Sequence, residues 1–294
     1  MYIKKNSCHK MSKKLSIITI NYNDKQGLQK TIESVINQTW KDFEFIVIDG
    51  NSTDGSVALI EQYSNEINYW VSEIDTGVYH AMNKGIKIAN GEYLLFLNSG
   101  DFLVDNNILN QVVNKLDNNV SIFYGNLFYS ELGKRIALWT PPNELSFSYL
   151  LNFSLPHPAS FIKKELFFKY FLYNESLQIV SDWEFFIFCL CKMNEPYKHL
   201  DIVISDFDNG GISSKKENLE KIEKEKTKTL MNHFPLFKTD YLIINEYNSK
   251  RNKQFNLIKK SKLSWKILKG LLNFLMLFQK NKFSKADSFH TKIN

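Results

Sequence analysis

Three polar clusters follow directly on three apolar runs. Asn21-Tyr22-Asn23 follows Leu15–Ile20, Asp49–Ser52 follows Phe43–Ile48, and Asn98-Ser99-Gly100-Asp101 closes the run Glu92–Leu97. Their carboxylates, amides and hydroxyls accept hydrogen bonds and are hard oxygen ligands, the chemistry that suits nucleotides and divalent cations. One such cluster is what any turn offers, because turns favour Asn, Asp and Gly. Three in series, each at the carboxyl end of a strand-like run, indicate a nucleotide pocket, since ligands of open α/β sheets bind beyond those ends. Neither a Walker loop nor a G-x-G-x-x-G is present, so the ordinary NTPase and dinucleotide readings lose their main support.

The elements that must carry these clusters are legible in outline. Leu15–Ile20 and Phe43–Ile48 are short, β-branched and apolar, as buried strands are. Between them Asn23 or Asp24 can cap a helix in which Leu28, Ile32, Val35 and Ile36 fall at helical spacing. A further helix follows (Val57, Ile60), and this alternation implies right-handed βαβ units on a parallel sheet. Ile67–Val71 is expected to be a strand, Val78–Ile88 a helix and Asp105–Leu116 another helix. From residue 120 the pattern changes to short strands (Ser121–Tyr129, Arg135–Trp139) with a Pro141-Pro142 break, which reads as a mixed-sheet half. Val180–Met193 reads as an apolar helix opening at Ser181-Asp-Trp-Glu184, and Ile202–Ser205 as a last strand leading into Asp206–Ser213. A boundary follows. Ten of the fourteen residues 215–228 are charged, with Glu217–Lys221 and Glu220–Lys224 at i,i+4, which predicts a solvated helix.

The chain has 294 residues, 44% of them hydrophobic, enough for one large domain or a domain with an appendage and too many for disorder. Its three cysteines (Cys8, Cys189, Cys191) cannot build a disulfide framework, and Cys189-Leu-Cys191 lies in an apolar run and lacks the spacer of zinc and redox motifs, so Cys189 and Cys191 read as core residues in a reducing compartment. The N-terminus is basic and polar, with no signal peptide evident, and no run reaches the roughly 18 apolar residues of a spanning helix. The net charge of +6 divides into −6 over residues 1–214 and +12 over 215–294, an acidic body with a basic tail.

The series of motifs resembles family 2 glycosyltransferases, particularly those of bacterial capsule, O-antigen and colanic-acid clusters. The matching elements are Ser16–Asn23, Ser34–Thr39, Ile48–Gly55, Glu73–Gly85, Gly91–Asp101, Ser181-Asp-Trp-Glu184 and Gly210-Gly-Ile-Ser213, seven in order across about residues 14–214. The resemblance implies an α/β GT-A (Rossmann-like) catalytic domain with a mixed central sheet over 14–214. It also implies a nucleoside-diphosphate (UDP-type) sugar donor, a divalent cation (Mn²⁺ or Mg²⁺) and inversion at the anomeric carbon. Residues 215–294 would form a charged helical and basic amphipathic extension.

Carried onto this sequence, the family pattern has Tyr22, beside Asn23, stacking on the nucleobase, a task that suits a flat amphipathic ring. Asp49 would accept from base or ribose; many relatives have a second acidic residue next, where this chain has Gly50. Asp75, Asn83 and Lys84 match positions near the diphosphate or donor sugar, Lys84 as a point cation. Asn98-Ser-Gly-Asp101 replaces a D-x-D-type metal motif with a single carboxylate, Asp101, so metal affinity without donor should be weak. Asp182 matches the catalytic base, which takes the proton of the acceptor hydroxyl. Glu184 competes for that role, and the two lie roughly 200° apart around a helix, so a regular helix turns only one into a cleft. His157, between Pro156 and Pro158, would lie near acceptor or phosphate, and Gly210-Gly211 would form a loop over the diphosphate.

In the tail, residues 250–292 hold twelve Lys+Arg and one acid, Asp287. Residues 255–282 read as a basic amphipathic helix of the kind that lies in a membrane interface, with packing on the catalytic domain as the alternative. The expected partners are a sugar-nucleotide donor, a glycan or lipid-linked glycan acceptor and a membrane surface, and no nucleic acid. The expected location is cytoplasmic, peripheral on the inner face of the cytoplasmic membrane. Two other functions stay open at this level. One is a sugar nucleotidyltransferase, although Asn21–Gly27 lacks the Gly- and basic-rich loop it needs; the other is a degenerate GT-A module acting as a scaffold.

Overall fold

The computed structural model describes residues 2–5, 13–131 and 133–278. In chain order the elements are β1 (Tyr2–Lys5), β2 (Leu15–Asn21), α1 (Lys25–Ile36), β3 (Phe43–Asp49), α2 (Ser56–Gln62), β4 (Tyr69–Ser72), α3 (Val78–Ile88) and β5 (Tyr93–Phe96). Then come β6 (Phe102–Leu103), α4 (Ile108–Val113), β7 (Ile122–Glu131), β8 (Lys134–Trp139), α5 (Phe147–Asn152), β9 (Ser160–Lys163), α6 (Lys164–Lys169), α7 (Ser181–Ile187) and β10 (Tyr197–Asp208). Four helices follow: α8 (Leu219–His233), α9 (Lys238–Asn248), α10 (Lys250–Lys260) and α11 (Lys262–Leu277).

The strands form one mixed sheet in the order β1-β4-β3-β2-β5-β9-β7-β10-β6, with β8 hairpinned onto β7. β4, β3, β2 and β5 run parallel, as the βαβ pattern requires. β9 then pairs antiparallel with both β5 and β7, and this reversal makes the sheet mixed. Every residue of β2 and β3 is buried, because helices cover both faces of a parallel sheet. The chain leaves β2 towards β3 on one side and returns as β5 on the other, so the Asn21 and Asn98 loops flank the crevice where the winding reverses.

Several expectations change in detail. The helix expected over Asp105–Leu116 shortens to the six residues of α4, because Asp105 and Asn107 spend their groups on a turn. The apolar run from Val180 is α-helical only to Ile187 and continues as a π-helical turn over Phe188–Lys192. Cys189 is a core residue as expected, whereas Cys191, at the end of the π-helical turn, is only half-buried; burial pushes both thiols up, that of Cys191 to about 11. The last strand is twelve residues long rather than four, since alternation of polar and buried positions hid its ends. β1, β9, α5 and α6 carry no signal that the sequence reading used.

The described residues up to 235 form one compact unit and those from 236 to 278 a second. α8 belongs to the first, and it is not solvated all round: Thr229 and Leu230 are buried, and His233 Nε2 lies 2.9 Å from Glu184 Oε1. In the second unit, α11 is capped by Ser261, whose side chain accepts from the Ser264 amide. None of its residues is buried, and Leu263, Ile267, Leu271, Phe274 and Leu277 are all exposed. Trp265 receives Lys259 and Lys269 over its ring. Residues 279–282 of the expected 255–282 segment, Lys280 among them, and Cys8 lie outside the described residues. Among the described residues no helix is long and apolar enough to cross a membrane.

Candidate functional site

The Asn98–Asp101 turn is held by α1. Thr31 Oγ1 donates to the Asp101 carbonyl at 2.7 Å and accepts from the Gly100 amide at 3.1 Å. Gly100 adopts φ +98°, a left-handed conformation that glycine takes without strain. A Cβ there would stand 3.3 Å from Cβ of Asp208, the last residue of β10. The Asp208 amide donates to Asp101 Oδ1 at 3.2 Å, so two carboxylates share one corner. Asp101 is 3% exposed. Burial, helped by the charges of Asp208 and Asp206 and opposed by two amide hydrogen bonds, holds its carboxyl well above the usual carboxylate range. Asn98 Oδ1, also at this corner, is buried without a partner. Two carboxylates and an open amide oxygen fit a hard divalent cation. No cluster of three metal-binding side chains occurs among the described residues, so further ligands would have to come from a substrate or water.

Across the cleft, α7 presents Asp182. The Tyr79 hydroxyl on α3 donates to Asp182 Oδ1 at 2.9 Å and accepts from the Ser181 amide at 3.0 Å. Burial first, and the adjacent Asp182 charge second, raise the Tyr79 pKa well above its ordinary value, so it remains a donor. Glu225 of α8 accepts from the amides of Gln178, Ile179 and Val180, fixing the strand of chain that enters α7. His157 stacks on Phe96 with centroids 4.8 Å apart and meets Tyr173 Oη through Nε2 at 2.8 Å. Burial lowers its pKa despite the pull of Asp182, so its ring is neutral at pH 7.

These groups open into one cleft of about 350 Å³. Of the residues singled out by sequence, Asn98, Asp101, His157, Asp182, Gly210 and Gly211 line it, and the Gly210 amide donates to Asp208 Oδ1 at 3.0 Å. Glu184 does not line it; it is 3% exposed and faces His233, as the angular argument required of one of the two acids.

The remaining designated residues sit elsewhere. Asp49 is fully buried, and its carboxylate is occupied within the protein: Oδ1 accepts from Asn21 Nδ2 and Ser52 Oγ, Oδ2 from the Ser52 amide and Ser72 Oγ. It ties three strand ends together instead of facing the cleft. Asn23 likewise binds the neighbouring loop, through Ser52 and Thr53. Asn83 is buried and donates to the Tyr173 carbonyl and to Glu175. Lys84 bonds Asp75 at 2.6 Å and Glu73 at 2.7 Å; burial works against its charge, but these carboxylates raise its pKa overall. Tyr22 is 70% exposed and leans over Gly50, whose missing Cβ would stand 3.1 Å from the ring and 3.6 Å from Asp75 Oδ2. That oxygen is buried and unpartnered. Gly50 thus leaves space between Tyr22 and Asp75 that a side chain would crowd.

Sequence reasoning missed Thr31, Tyr79, Asp208 and Glu225 as site residues. Tyr79 stood inside a quoted motif with no distinguishing chemistry, and Asp208 stood in a polar turn among other acceptors.

The model of Glycosyl transferase family 2 matches residues 16–176. An uncharacterized glycosyltransferase of Mycobacterium tuberculosis is 34% identical over 208 residues, 69% of this chain and 78% of that one. The UDP-Glc:alpha-D-GlcNAc-diphosphoundecaprenol beta-1,3-glucosyltransferase WfgD of Escherichia coli is 29% identical over 139 residues, 47% of this chain and 55% of that one. Among solved structures, S. aureus TarS 1-349 in complex with UDP-GlcNAc matches with a TM-score of 0.58 at 18% identity, over 81% of this chain and 74% of that one. The mannosyltransferase PcManGT of Pyrobaculum calidifontis in complex with GDP-Man and Mn²⁺ matches with a TM-score of 0.56 at 15% identity, over 81% and 70%. At these identities the likeness to solved structures establishes the fold, a GT-A-like α/β domain.

Proposed function

The chain belongs to glycosyl transferase family 2 and is a glycosyltransferase, and on that footing we propose that it moves one sugar, with inversion, from a nucleoside-diphosphate sugar to a hydroxyl of a lipid-linked cell-surface glycan precursor. The observation that carries this reading is that Asp182 and the Asp101–Asp208 corner open into the same cleft. Catalysis belongs to residues 14–214, with α8 as a brace, and membrane contact to the tail beyond it. The donor is UDP-linked, in keeping with the UDP-GlcNAc and UDP-Glc that the relatives' names record. Its base stacks on Tyr22 above Gly50, with Asp75 beside it.

Asp182 takes the proton of the acceptor hydroxyl as that oxygen bonds the anomeric carbon. The anomeric C–O bond breaks on the opposite side, and its electron pair leaves on the diphosphate. Tyr79 keeps the base aimed, and neutral His157 adds no positive charge beside it. Asn98, Asp101 and Asp208 would hold Mn²⁺ or Mg²⁺, which when bound offsets the charge of the departing diphosphate. Gly210-Gly211 closes over that end of the cleft.

The exposed apolar residues of α11, with Lys262, Lys266 and Lys269, support attachment to an anionic leaflet, each lysine contributing about 1 kcal/mol. A soluble donor and a membrane-borne acceptor would meet there, at the inner face of the cytoplasmic membrane. A thermal-shift screen of nucleoside-diphosphate sugars with and without Mn²⁺ tests the reading, because a ligand that binds only the native state raises Tm by mass action. One donor should give a Mn²⁺-dependent shift that Asp101→Ala abolishes; no shift with any donor at millimolar concentration would refute it. For the tail, removal of residues 255–294 should release the protein from anionic vesicles, and undiminished flotation would refute membrane attachment through it.

A further inference from the structure

The cleft continues past Asp182 into a second cavity of about 530 Å³ that shares His157, Asp182 and Phe207 with the first. Its wall is apolar and aromatic. Trp139 lines it while stacked on Tyr129, with centroids 5.8 Å apart and planes at 17°, and Phe153 and Trp183 line it from other sides. Broad aromatic faces suit the apolar C–H face of a pyranose ring. Asp182 stands between the donor side and this cavity, which is where a base must stand if the attacking hydroxyl comes from the second side.

One charged group in the wall lacks a counter-ion. Lys226 of α8 is the one lysine or arginine among the described lining residues. Its Nζ lies 4.8 Å from the Trp183 ring centroid and makes one long hydrogen bond, 3.4 Å, to the Leu151 carbonyl. No described carboxylate comes within ion-pair distance of it. Burial lowers its pKa, against the pull of Glu223 and Asp182, as expected for an ammonium partly withdrawn from water. Such a group is costly unless something supplies the opposite charge.

We propose that the second cavity is the acceptor subsite and that Lys226 selects an acceptor sugar bearing an anionic group, either a diphosphate linkage or a uronate carboxylate, beside the hydroxyl that attacks. This rests on the glycosyltransfer reading above. The aromatic wall supplies affinity for the ring, and Lys226 supplies a hydrogen bond to an anionic oxygen, charged on both sides, which a neutral sugar cannot offer.

The test titrates the full chain, with UDP and Mn²⁺ present to fill the donor side, with methyl glucoside, methyl glucuronoside and alkyl-diphosphoryl glucose, followed by saturation-transfer NMR. At least one anionic probe should bind about tenfold more tightly than the neutral glucoside, the range expected for one charge-assisted hydrogen bond. The stronger of the two identifies the source of the anion. The preference should weaken as salt rises, vanish in Lys226→Met and persist in Lys226→Arg. Equal affinity for all three probes, or a preference that survives in Lys226→Met, overturns the proposal. Lys226→Gln serves if the Met variant does not fold. The UDP-induced thermal shift is read in parallel. Its absence in the wild type would sink the UDP-linked donor of the transferase reading, whereas a normal shift without anion preference would sink this proposal alone.

Discussion

The hydroxyl of Tyr79 donates to Asp182 Oδ1 at 2.9 Å while it accepts from the Ser181 amide at 3.0 Å. A single side chain of α3 therefore sets both the start of α7 and the aim of its carboxylate, 103 residues further along the chain. Because α3 also lines the cleft through Val78 and Met82, the same helix shapes the donor side and orients the base.

Tyr79→Phe removes both the bond to Asp182 and the acceptor of the Ser181 amide, and changes little else in the packing. The expected result is a loss of about tenfold in kcat, the equivalent of one hydrogen bond to a charged group, with donor affinity unchanged. Steady-state kinetics with a fixed donor check it.

Asp101→Asn should stabilise the protein without ligand while removing its response to Mn²⁺ and donor. The folded carboxyl titrates above the usual value of 3.8, so the native state binds this proton more tightly than the unfolded chain does. Stability from that source is complete below about pH 3.8 and is lost as pH rises through the folded pKa. At pH 7.5 the neutral amide therefore raises Tm, by roughly 2–4 °C if about 1 kcal/mol is recovered. Calorimetry of both forms at pH 5 and 7.5 checks the sign.

Glu225→Gln weakens the acceptor for the three amides of Gln178, Ile179 and Val180. Stability should fall by about 1–2 kcal/mol, as for a lost helix cap. Because Asp182 lies just beyond these residues, kcat should fall with it, whereas the Mn²⁺-dependent donor shift should persist. Chemical denaturation and kinetics separate the two effects.

His157 should titrate below 6.5, because burial disfavours its charged form. The unfolded chain then takes up this proton first, so the associated stability is present above pH 6.5 and is lost as pH falls towards the folded pKa. The imidazole Cε1–H resonance gives the midpoint directly, and a midpoint at or above 6.5 would contradict the buried, neutral ring.

The sequence carried the parallel half of the fold well, because β2 and β3 are apolar runs and Leu28, Ile32, Val35 and Ile36 of α1 fall at helical spacing. It also carried the positions of Asp101 and Asp182, each at the end or start of a buried element. What it could not carry were distances. Asp49 and Asp101 read alike, as lone acids behind strands, yet Asp49 is consumed by Asn21, Ser52 and Ser72 while Asp101 opens into the cleft. Asp208 becomes a partner of Asp101 only because β10 runs on to bring its end against Gly100. The charge density of residues 215–228 concealed that α8 turns Glu225, Lys226 and Leu230 inward.

The most direct test of the central claim compares wild type with Asp182→Asn, using the nucleotide sugar selected by the thermal-shift screen, for donor affinity in Mn²⁺ and for release of nucleoside diphosphate. If Asp182 is the base, affinity stays within about twofold, while release falls by about 10²–10⁴-fold, the range for loss of a general base. Release at the wild-type rate from a variant that binds donor normally would contradict the account.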